Sequence, residues 1–84
     1  MRKHFVNLDQ IFNRLKTLTP RERDVLNQVV SGQLNKEIAS ELGITIRTVK
    51  EHRSRVMEKM EANSLAELVT MIVTLRLHEN SMMT

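Results

Sequence analysis

The stretch that decides the fold is Asn35-Lys-Glu-Ile-Ala-Ser-Glu-Leu-Gly-Ile-Thr-Ile-Arg-Thr-Val-Lys-Glu-His-Arg-Ser54. It reads as a helix of about eight residues, a tight turn at Gly43, and a longer helix capped by Thr45, which is a helix-turn-helix pattern. Asn35 is the expected N-cap of the shorter helix. Ile38, Ala39 and Leu42 line its inner side, and Val49, Val56 and Met60 line the inner side of the longer one. Ala39 is small where the two helices cross. Gly43 supplies a positive φ without a Cβ clash. Ile38, Leu42, Ile44 and Val49 are the residues available to fill the wedge between the helices. Two helices at such an angle let the second enter a major groove while the first crosses the backbone.

Working outward, Thr19-Pro-Arg-Glu22 places a Thr N-cap before proline at N1 and Glu at N3, a capping box that opens another helix. Val25, Leu26, Val29 and Val30 share one face of it, and Ser31-Gly32 ends it. Leu8, Ile11, Phe12, Leu15 and Leu18 form an apolar stripe on a first helix capped by Asn7. This helix either packs on the domain or is a linker remnant. The cationic start, Met1-Arg-Lys-His4, is expected to fray. Ala62-Asn63 breaks the chain after Met60. Ser64-Leu-Ala-Glu67 is a second capping box, opening a last helix with Leu65, Leu68, Val69 and Ile72 inward. Residues 79–84 read as a disordered tail.

Eighty-four residues hold one domain, with no room for a large substrate pocket. There is no cysteine, which removes disulfides, thiolate metal sites and cysteine nucleophiles and suits a reduced, cytoplasmic home. Apolar runs are too short for a membrane span or a secretory signal. His4, His52 and His78 lack metal-ligand spacing, and no nucleophile–base order or phosphate-cradling loop supports catalysis. Neither a cofactor nor a metal is expected, nor enzymatic activity. The formal charge is +3. From Ile46 to Met60, Arg47, Lys50, Arg53, Arg55 and Lys59 face only Glu51 and Glu58, so this helix carries the whole surplus. A surplus confined to one helix is the footprint of a polyanion partner.

Leu18-Thr-Pro-Arg-Glu-Arg-Asp-Val-Leu26, Gly32, Asn35-Lys-Glu-Ile-Ala39, Thr48-Val-Lys-Glu-His52 and Val56-Met-Glu-Lys-Met60 together resemble LuxR-type DNA-binding domains, over roughly residues 18–72. Met60-Glu-Ala-Asn-Ser-Leu-Ala-Glu-Leu-Val69 resembles the FixJ-type branch. The resemblance implies an all-α, compact four-helix helix-turn-helix domain at 18–78, its motif at 35–54, with an additional N-terminal helix within 1–17. It also implies a bacterial transcription regulator or response-regulator output module, either excised or single-domain. The expected partners are double-stranded DNA and RNA polymerase, with no membrane.

The recognition helix is then about residues 46–60. The resemblance places family base contacts at Lys50, Glu51 and Ser54, whose spacing also puts them opposite Val49 and Val56. Lys50 suits guanine acceptors, and Glu51 suits cytosine N4. Arg53 borders the inner side and can extend toward a base or the backbone. Arg47 and Arg55 suit phosphates, as do Thr45 and Thr48 at the helix start and Asn35 and Lys36 at the start of the preceding helix. A small helical adaptor docking an acidic partner on the same basic helix is the alternative. The last helix has more apolar positions than one buried stripe requires. Met71, Thr74 and Leu75 are expected as a second, partly exposed strip. Either a second copy covers it, forming a weak dimer on inverted-repeat DNA, or the Leu8–Leu18 helix does.

Overall fold

The computed structural model describes residues 7–83, with side chains through residue 81. The cationic start at 1–4 lies outside the described residues. Five helices follow one another: α1 (Leu8–Lys16), α2 (Pro20–Val30), α3 (Asn35–Leu42), α4 (Ile46–Lys59) and α5 (Leu65–Met83). No strand occurs among the described residues.

Local chemistry starts most of them. Asn7 Oδ1 accepts from the Gln10 amide at 2.8 Å, and Gln10 Oε1 accepts from the Asn7 amide at 3.0 Å. The α2 box closes the same way, with Thr19 Oγ1 accepting from the Glu22 amide at 3.1 Å and Glu22 Oε1 from the Thr19 amide at 3.0 Å. Gly43 sits at φ 68°, ψ 35° in the left-handed region, letting the Ile44 amide reach back to the Ala39 carbonyl at 3.0 Å.

Three local expectations change. Asn35 is the first helical residue of α3, and Leu34 is the N-cap; Glu37 Oε1 accepts from the Leu34 amide at 2.7 Å. The Asn35 side chain bonds across to α4 instead. At α5, Ser64 Oγ accepts from the Glu67 amide as expected, but the Glu67 carboxylate bonds the Asn63 amide rather than that of Ser64. The same helix then continues to Met83 through the expected disordered tail, because Glu79 to Met82 contains neither glycine nor proline to stop it.

One core joins all five helices: Ile11, Leu18, Val25, Leu26, Val29, Ile38, Ala39, Val49, Val56, Met60, Leu68, Met71, Ile72 and Leu75. α1 is therefore part of the domain, contributing Ile11 and packing against α5. That packing overturns the expected exposure on the last helix. Met71 and Leu75 are each only 6% exposed, while Leu65, expected inside, is 45% exposed. Thr74 is exposed, and Phe12 of the first stripe also faces solvent. Covering of the Met71–Leu75 flank falls to α1, the second of the two occupants the sequence leaves open.

Candidate nucleic-acid interface

α4 owes its position to its inner face. Val49 and Ile38, both without exposed surface, form the crossing with α3, and Val56 and Met60 continue the buried line. The opposite face is thereby turned to solvent, and Arg47, Lys50, Glu51, Ser54 and Arg55 are all exposed there. Lys36 and Thr45 are exposed as well, while Thr48 is half-buried. At the start of α4, Thr45 Oγ1 caps the Thr48 amide at 3.1 Å. The first amides, at Ile46 and Arg47, have no acceptor within the helix and form a natural anion-facing end.

Glu51 is not isolated among the cations. Arg47 Nε lies 3.7 Å from Glu51 Oε2, one turn away, so the acid has a cation of its own helix beside it. This exposed pair is weak and can be exchanged for a phosphate at small cost.

Arg53 departs from the outer face. Its Nη1 donates to Asn35 Oδ1 at 2.8 Å, tying the middle of α4 to the first turn of α3. Both residues are half-buried. An open cleft of about 430 Å³ lies beside this strut, lined by Asn35, Lys50, Arg53, Ser54 and Met57. The structure thus brings Asn35, Lys50, Arg53 and Ser54 together on one flank and Arg47 with Glu51 on the outer face. His52 lies half-buried, and its Nδ1 is buried without a hydrogen-bond partner.

Lys59, counted in the basic surplus, turns inward. Its Nζ donates to Glu22 Oε1 at 2.7 Å and to the Thr17 carbonyl at 3.2 Å. Glu22 is 3% exposed. The hydrogen bond from Lys59 holds its carboxyl below the ordinary carboxylate range against the opposing effect of burial, helped by the Thr19 amide and the charges of Lys59 and Arg55. The cations left free to meet a polyanion on α4 are Arg47, Lys50 and Arg55. A second network ties α1 to the end of α4: Arg14 Nη1 donates to the Met60 carbonyl at 3.2 Å, and its Nε lies 3.3 Å from Glu61 Oε2. The only signal for either network is a charged residue at a helix position bordering the apolar stripe.

Comparison with known proteins gives the same arrangement a lineage. Over 58 residues the chain is 57% identical to the transcriptional regulatory protein FixJ of Rhizobium meliloti, covering 69% of this chain and 28% of that protein. It is 56% identical over 52 residues to the tetrathionate response regulatory protein TtrR of Salmonella typhimurium, covering 62% and 25%. The chain thus spans about a quarter of the length of these relatives. Among solved structures, the C-terminal transcriptional activator domain of FixJ from Sinorhizobium meliloti superposes with a TM-score of 0.70 at 50% identity, covering 83% of this chain and 89% of that domain. The response regulator StyR matches with a TM-score of 0.76 at 44% identity, over 79% of this chain and 33% of that one. Residues 16–72 match the model of the bacterial regulatory proteins of the luxR family. With five helices arranged as in the FixJ domain and the α3–α4 motif at its centre, the chain belongs to the LuxR family of bacterial regulatory proteins.

Proposed function

We propose that this chain binds double-stranded DNA sequence-specifically as the output module of a transcription regulator, with α4 in the major groove and RNA polymerase as the downstream partner. The observation that carries this reading is the outer face of α4. Arg47, Lys50, Glu51, Ser54 and Arg55 are presented to solvent by a helix whose other face is locked in the core. Lys50, Glu51 and Ser54 face the bases in this reading. Thr45, Arg47, Thr48, Arg55 and Lys36 face the backbone. Asn35 and Arg53 brace α3 against α4 at the cleft.

Titration of labelled duplex DNA at several salt concentrations tests it. The cations this reading supplies, Lys36, Arg47, Arg55 and at most Lys50, neutralise about three to four phosphates and make log K fall with log salt at a slope of about −3 to −4. A slope close to zero on duplex DNA overturns the reading and favours an acidic protein partner for the same helix.

Two copies pair on an inverted repeat, with half-site centres about 10 base pairs apart. Since α1 covers Met71 and Leu75, the surface left for a second copy is the other flank of α5. There Leu65, Val69, Val73 and Leu77 follow one another every fourth residue; Leu77 is 63% exposed and Val69 half-buried. A two-fold axis brings this strip against its own copy. It is short, so the pair is weak and assembles on DNA. Val73→Asp is expected to leave the fold and single-half-site binding intact while abolishing cooperative binding to a two-half-site duplex. Cooperativity equal to wild type removes this face from the dimer.

A further inference from the structure

The C-terminal end of α4 is held by an element that lies away from its outer face. Helix ends leave carbonyls without partners inside the helix, and cations are the favoured groups to satisfy them. At the end of α4, Arg14 of α1 donates to the Met60 carbonyl at 3.2 Å and pairs with Glu61 at 3.3 Å. The same guanidinium lies 3.8 Å from Met71 Sδ on α5. Its side chain is 16% exposed, so the guanidinium itself is largely screened from water, while Glu61 is 67% exposed. The bonding is reciprocal. Lys59, the last residue of α4, donates to the Thr17 carbonyl just beyond α1, and Arg23 Nη2 of α2 donates to the Leu15 carbonyl inside α1 at 2.7 Å. Ile11, 1% exposed, completes the seat from the apolar side.

Glu61 has a further part in this junction. It adopts φ 55°, a left-handed conformation that a non-glycine residue rarely takes, and the Ala62 amide reaches back to the Met57 carbonyl at 2.9 Å. The ion pair with Arg14 holds the side chain of the residue on which the end of α4 turns.

We propose that α1 positions the recognition helix: through Arg14 on Met60 and Glu61, and through the Lys59–Thr17 bond, the seating of α1 sets the angle of α4, so that displacing α1 lowers DNA affinity although α1 touches no DNA. This rests on the DNA-binding reading above. The lever is long. At about 1.5 Å of rise per residue, Lys50 lies about 15 Å along the axis from Met60. A tilt of about 5° at the clamp then moves Lys50 by about 1 Å, enough to spoil hydrogen bonds whose useful range is a few tenths of an ångström. The matched family region begins at residue 16, so all of α1 except its last residue, Lys16, lies before it.

Arg14→Ala tests this with two independent measurements. Amide hydrogen exchange is expected to speed up about tenfold at Met60, Glu61 and Ala62 while the α3 amides keep their protection. DNA affinity is expected to fall about tenfold with an unchanged salt slope, and Arg14→Lys, which can still reach the Met60 carbonyl, recovers part of it. Exchange that accelerates equally in every helix, or nowhere, overturns the proposal. So does wild-type affinity, and so does a salt slope shallower by about one, which marks a direct phosphate contact. If Arg14→Ala does not fold, Glu61→Gln serves, since Glu61 is 67% exposed and its loss leaves the core untouched. It is expected to give the same pattern at two- to threefold, and wild-type behaviour in both measurements overturns the proposal. If the wild-type chain shows no salt-dependent DNA binding, the DNA reading falls, and the exchange pattern alone decides whether α1 holds α4.

Discussion

Glu22→Ala is expected to lower folding stability by about 3 kcal/mol, the largest effect of a polar substitution in this chain. The carboxylate has two partners in a nearly water-free position, the Lys59 ammonium at 2.7 Å and the Thr19 amide at 3.0 Å. Truncation removes half of the α2 capping box, worth about 1 kcal/mol. It also leaves Lys59 with only the Thr17 carbonyl. Breaking a buried ion pair costs about 3–5 kcal/mol, but the Lys59 side chain is 31% exposed and regains water, so about 2 kcal/mol is the better figure. For a domain of this size the total corresponds to a melting temperature lower by about 12–24 °C.

The pair also sets a pH dependence. Because the folded carboxyl is held below its ordinary value, folding binds this proton less readily than the unfolded chain does. Its contribution is complete above the unfolded pKa of about 4.3 and is lost as pH falls toward the folded value. Thermal melts of wild type and variant at pH 7 and at pH 3 measure this directly. The gap between them must narrow at the lower pH. An equal gap at both, or no gap at pH 7, shows that the Lys59 contact contributes nothing through charge.

Lys50→Ala and Ser54→Ala are expected to change base preference, with about 1–3 kcal/mol of discrimination lost where a direct base contact disappears, roughly 5- to 150-fold. Arg47→Ala is expected to weaken all duplexes about equally and to flatten the salt slope by about one. The difference follows from position. Lys50 and Ser54 are exposed one turn apart at the cleft beside α3. Arg47 is in the first turn of α4, near its uncapped amides, and exchanges its weak pair with Glu51 for a phosphate. Selection from a random duplex library supplies the preferred site, and each variant is then titrated on that site and on a scrambled one. Equal losses on both for Lys50→Ala remove it from the residues that read bases.

Where the physics is local, the amino-acid sequence alone determined the outcome. The Asn7 cap and the Thr19–Glu22 capping box join groups three residues apart, so the caps that start α1 and α2 are legible in the order of residues, while the return bond from Gln10 to Asn7 came only with the structure. The same holds for Gly43, whose lack of a Cβ makes it the natural turn, and for the inner line Val49, Val56 and Met60, which follows from helical periodicity. These features suffice to place a helix-turn-helix and to assign its outer face.

Where two distant segments compete for the same group, tertiary structure decided. Asn35 has the side chain of a good N-cap, but Arg53, eighteen residues away, takes its Oδ1, and the cap passes to Leu34. Lys59 adds to the basic surplus of α4 by count, but Glu22, thirty-seven residues earlier, draws it inward. The sharpest case is α5. Periodicity shows that its apolar surplus exceeds one buried stripe without saying which flank finds a neighbour. α1 settles that by covering Met71 and Leu75, leaving Leu65, Val73 and Leu77 in solvent. Hydrophobic patterning specifies that a face must be buried. Only the folded chain specifies what buries it, because that depends on which other apolar surface arrives there first and fits.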